Sequence, residues 1–162
     1  METNIFFGGM IMWWEKLYPV CLAFGLTFVC FLLFYMDFDF MNEVHINEAV
    51  LSAGITVGAV FAGFEAVEQG TLLQGVHKRF EKILNSEYGR LLLRYINESM
   101  ISSLLFMAVS IFLLLIYSPA LQSNMQYALP AWLFFLLYML LSFYRCHTIL
   151  GMMHKYAQQK NR

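Results

Sequence analysis

The sequence predicts an all-α membrane protein: a four-transmembrane-helix bundle with a cytoplasmic helical hairpin extending helices 2 and 3. Three observations lead there. The chain is 60% hydrophobic and only 13% charged, whereas a soluble domain needs about a quarter of its residues charged to cover a water-facing surface. Residues 17–35 and 99–144 contain no Asp, Glu, Lys or Arg, and about 20 apolar residues suffice for a helix to cross about 30 Å of hydrocarbon. When four spans are threaded, every basic residue falls on one side of the membrane. At 162 residues the whole chain reads as one integral membrane domain.

Four spans are expected, near 17–36, 47–68, 99–117 and 129–150. The first lacks the marks of a cleavable leader: nothing basic precedes Lys16, and the acidic stretch around Asp37 and Asp39 follows it without a small-residue cleavage site. The fourteen residues from Met1 to Trp14 are apolar but too short to span. They are expected to lie along the inner interface, with Trp13 and Trp14 at headgroup depth. The second span is the weakest, because Glu48 and Glu65 bound an uncharged stretch of only about 24 Å as helix. The long uncharged run from Ser99 to Tyr144 divides at the turn-rich segment 118–126, and Pro130 then suits the first turn of a fourth helix.

Charge sets the orientation. Lys16, Lys78, Arg79, Lys82, Arg90, Arg94, Arg145, Lys155, Lys160 and Arg162 all lie on the side of the two termini. The opposite side carries Asp37, Asp39, Glu43 and Glu48 and no basic residue. Loops rich in Lys and Arg stay in the cytoplasm, so both termini are expected there. Two or three spans would split the basic clusters between the faces.

The second span carries small residues at four-residue intervals, Gly54, Gly58, Ala62, Ala66 and Gly70, widened by Ala49, Ala53, Ala59 and Gly63. Helices in lipid associate by close backbone approach, so this row predicts packing inside the bundle, against a second copy, or around a narrow pore. Glu65 and Glu68 lie one turn apart near its inner end. They sit either at the wet interface, paired with Lys78 or Arg145, or within the hydrocarbon, where an acid faces a partner, a cavity or an ion path. Asn97 and Glu98, at the inner start of the third span, leave the same two options.

Helical periodicity continues beyond Gly70. Val76, Phe80, Ile83 and Leu84 form one stripe, Asn85-Ser86 offers a turn and cap, and Leu91, Leu92 and Tyr95 line a second arm with Tyr88. The result is a cytoplasmic hairpin over about 69–98 bearing Lys78, Arg79, Lys82, Arg90 and Arg94. Such a surface serves either anionic lipid or a docked partner. Glu81 and Glu87 interrupt it, which argues against direct nucleic-acid binding.

No catalytic motif is present. His45, His77, His147 and His154 have no zinc-like spacing to Cys, Asp or Glu, and there is no phosphate-binding loop or nucleophile elbow. Cys21, Cys30 and Cys146 lack the paired spacing of a disulfide enzyme and read as small buried hydrophobes. No enzyme activity, cofactor or metal is expected.

The row Gly54/Gly58/Ala62/Ala66/Gly70, the hairpin 77–94 and the basic tail 155–162 together resemble the small helical membrane subunits of bacterial antiphage systems. The chain looks most like the membrane subunit of the Kiwa defence system. The resemblance spans the full length, is one of topology, and assigns no role to any single residue. It implies a bacterial inner-membrane homo-oligomer that senses attack at the envelope and engages a soluble, DNA-binding effector in the cytoplasm. The sequence therefore predicts a membrane sensor or scaffold. A small oligomeric channel or transporter, with Glu65 and Glu68 lining a water-filled path, is the alternative.

Overall fold

The computed structural model describes residues 3–36, 47–73, 87–117 and 128–159, with side chains described for 17–33, 36, 47–71, 89–117 and 128–151. Four helices account for nearly all of this: α1 (Thr3–Tyr35), α2 (Glu48–Leu73), α3 (Glu87–Ile116) and α4 (Leu129–Gln159). No strand occurs among the described residues. Three stretches, Glu48–Thr71, Gly89–Ile116 and Leu129–Gly151, are long and apolar enough to cross a membrane. The chain is a membrane protein on that ground. The described apolar stretch of α1, Leu17–Leu33, is shorter.

Helix α1 differs from expectation. It runs without a break from Thr3 through Pro19 to Tyr35, so the N-terminal apolar segment is the first part of the same helix and not a separate piece. An interior proline removes one backbone hydrogen bond but does not end the helix here. Helix α2 starts where Asn47 caps it: the Val50 amide donates to Asn47 Oδ1 at 2.9 Å. Helix α3 begins at Glu87 and closes in a tight turn, Tyr117 N–H donating to the Leu114 carbonyl at 3.2 Å. In α4, Pro130 occupies the first turn, where its missing N–H costs nothing. The first arm of the expected hairpin, with Val76, Phe80, Ile83 and Leu84, lies outside the described residues.

Helix α2 packs on α3, α3 on α4, and α1 on α4. Side chains close the α2–α4 gap, since the Phe61 and Phe143 rings meet edge to face at 4.5 Å. Helices α2, α3 and α4 thus surround one seam, and α1 lies outside α4. Leu51, Phe106, Leu113, Leu129, Trp132 and Met139 fill one end of the seam. Leu92, Ile96 and Cys146 fill the other. Along α3 the positions between these apolar clusters are polar and buried: Ser99, Ser102 and Ser103.

Candidate functional site

That polar stretch is where the chemistry of the molecule gathers. Glycine brings the helices together above it. A Cβ on Gly58 would lie 3.0 Å from Met107 Cβ and 3.1 Å from the Ser103 carbonyl oxygen, and one on Gly54 would lie 2.9 Å from Ser110 Oγ. With α2 and α3 so close, the side chain two turns below Gly58 meets the serines of α3 directly. That side chain is Glu65, which has no exposed surface. Ser99 Oγ donates to Glu65 Oε1, and Ser103 Oγ lies 3.3 Å from Oε2. Ser103 Oγ is also 3.1 Å from the Ser99 carbonyl, which accepts a further bond from Ser102 Oγ at 2.7 Å. These hydroxyls find acceptors within the helix packing, as buried polar groups must.

Two pairs of ionisable side chains flank this centre. Arg145 of α4, 2% exposed, meets Glu98 of α3 at 2.8 Å. The Arg145 guanidinium carbon also lies 4.2 Å from the centroid of the Tyr95 ring, a cation–π contact. Tyr138 O–H reaches Glu98 Oε1 at 3.4 Å. On the other side, Glu68 Oε1 is 3.7 Å from His147 Nδ1. The His147 ring stacks on Phe143 with centroids 4.7 Å apart and approaches Phe64 at 6.3 Å. Glu68 Oε2 is shielded from solvent and has no hydrogen-bond partner among the described residues.

Of the interfacial partners considered from sequence for Glu65 and Glu68, Lys78 lies outside the described residues and Arg145 is drawn elsewhere. Arg145 engages Glu98, Glu68 faces His147, and Glu65 is buried against hydroxyls. Asn97 points outward and is exposed.

The five-member row of small residues is not one face. Residues four apart on an α-helix advance by about 40°, so five members sweep about 160° around the axis. Gly54 and Gly58 are buried against α3, Ala62 is half-buried, Ala66 is exposed, and a Cβ on Gly70 would meet nothing within 4 Å. The inward line of α2 is Leu51, Gly54, Gly58 and Glu65, where alternating steps of three and four hold one face. A second line, Ser52, Thr56, Ala59, Gly63 and Ala66, is small and outward-facing.

Of the basic surface, Arg90 and Arg94 are exposed one turn apart on α3, while Lys78, Arg79 and Lys82 lie outside the described residues. Sequence reasoning passed over Ser99, Ser102 and Ser103. Their signal was available: three hydroxyls clustered within one turn of an otherwise apolar span. Among the described residues, no group of three or more His, Cys, Asp or Glu side chains is placed to hold a metal. No family model, no curated protein and no solved structure matches the chain.

Proposed function

We propose that the chain is a non-enzymatic, four-span sensor or scaffold subunit of a bacterial inner membrane. It assembles with copies of itself and engages a soluble cytoplasmic effector, in defence against phage. The observation that carries this reading is the inner end of α3. Leu92, Tyr95 and Ile96 are buried there, with Leu92 and Ile96 clustered against Cys146, Ile149 and Leu150 of α4, while Arg90 and Arg94 project from the free face. A helix anchored on one side and presenting two guanidinium groups on the other is suited to bind carboxylates on a partner. Helix α1, at about 50 Å for its 33 residues, exceeds the hydrocarbon thickness and supports a fourth span. The one-sided distribution of all ten Lys and Arg residues supports cytoplasmic termini. The outward line Ser52, Thr56, Ala59, Gly63 and Ala66 supports close approach of a second copy.

The test is co-purification from the native host with Arg90→Glu and Arg94→Glu introduced together. The wild-type chain should retain a stoichiometric soluble partner and the double variant should lose it while keeping its own oligomer size. Equal recovery of the partner by both would remove the docking role. The alternative reading, an oligomeric channel or transporter, draws on the buried acids, because ionisable groups at membrane depth commonly line ion paths. Cation flux in liposomes that disappears in a Glu65→Gln, Glu68→Gln variant would favour it instead.

A further inference from the structure

The polar layer holds three acids, and its basic side chains do not cover them equally. Glu98 has Arg145 at 2.8 Å, and Glu68 has His147 at 3.7 Å. Glu65 has no exposed surface, and the only partners described for it are the hydroxyls of Ser99 and Ser103. No ion pair to Glu65 occurs among the described residues. Hydroxyls hydrogen-bond a carboxylate but do not neutralise it, and a buried charge without a counter-charge is strongly disfavoured. One turn along α2, Glu68 Oε2 is likewise shielded and without a hydrogen-bond partner among the described residues.

The polar atoms described against Glu65 are hard oxygens: the Ser99 and Ser103 hydroxyls, with the Ser99 main-chain carbonyl 3.1 Å from Ser103 Oγ. Oxygen ligands favour hard cations over transition metals. One carboxylate balances one positive charge. Ser103 has a second acceptor for its proton in the Ser99 carbonyl, so its lone pairs can turn toward a cation.

We propose that Glu65, Ser99 and Ser103 form a buried site between α2 and α3 for a small monovalent cation, Na+ or a proton. Entry is from the side of Glu68 and His147, whose side chains are 20% and 47% exposed. The other ionisable groups bordering the layer are Glu98 on α3 and Tyr138, Arg145 and Cys146 on α4. The site stands independently of the docking surface on α3, which it neither requires nor excludes.

The test uses the purified full-length chain in detergent. Thermal unfolding is followed across about a hundredfold range of Na+ at fixed pH, with choline holding the ionic strength, and then across about two pH units at fixed Na+. The wild type should gain stability along one of these axes and Glu65→Gln should lose that response. A rise with Na+ identifies the alkali cation; a rise on acidification alone identifies the proton. If Glu65→Gln does not fold, Ser103→Ala serves, with an expected shift of about tenfold in the cation concentration giving half the effect. A wild type indifferent to both axes, or variants that respond as the wild type does, would overturn the site.

Discussion

A methyl group separates a tolerated from an untolerated change at several points of α2. At Gly58 an added Cβ meets Met107 Cβ at 3.0 Å and the Ser103 carbonyl at 3.1 Å, and a backbone oxygen cannot swing aside. Gly58→Ala is expected to lower stability by about 1–3 kcal/mol, the range for overpacking a tight contact. Gly63→Ala, where a Cβ meets nothing within 4 Å, should leave the melting temperature in detergent unchanged or slightly raised. Equal changes at the two positions would show that the α2–α3 contact does not govern the effect. Charge makes the second contrast. Removing Arg145 leaves Glu98 without its buried counter-ion, so Arg145→Met should cost about 3–5 kcal/mol. Adding Glu98→Gln should recover most of that loss, and a double-mutant cycle read by thermal unfolding measures the coupling.

The four helices are held to different degrees. Helices α2, α3 and α4 share the seam, while α1 touches α4 and exposes Leu22, Phe24, Phe28, Val29 and Phe31. An apolar surface of that extent is compatible with lipid on most sides of α1. The cysteines report the difference. Cys21 on α1 is exposed, Cys30 is half-buried, and Cys146 on α4 is buried within the inner cluster. An apolar thiol reagent added to the folded protein in detergent should modify Cys21 first and Cys146 only on unfolding. Modification of Cys146 at the rate of Cys21 would mean that the α3–α4 contact opens readily. An open, apolar groove between α1 and α4 is lined by Phe24, Phe28, Phe31, Pro130, Phe134 and Phe135.

For the whole molecule the governing quantity is which face meets the cytoplasm. All ten Lys and Arg residues lie on one side of a four-span thread, and the resulting bias predicts both ends inside. A fluorescent-protein fusion after Arg162 should therefore fluoresce in cells, and a phosphatase inserted after Asn124 should be active. A phosphatase that is active at the C-terminus would reverse or break the threading.

Composition and charge pattern alone were enough for an all-helical membrane protein, because the bilayer permits few backbone solutions and filters residues by polarity along the chain. The third and fourth helices follow from the uncharged run 99–144, and the place of Pro130 in the first turn of α4 from local chemistry. The small-residue row shows where this reading stops. Gly54, Gly58, Ala62, Ala66 and Gly70 share a spacing but not a face, since the helix turns about 40° between successive members. Only the neighbouring helix decided that Gly54 and Gly58 make contact while Ala66 does not. The same holds for the acids. One sequence position cannot say which of Arg145, His147 or a pair of serines will lie across from Glu65, Glu68 or Glu98. That choice depends on the axial register of α2, α3 and α4, which packing sets and linear spacing does not contain.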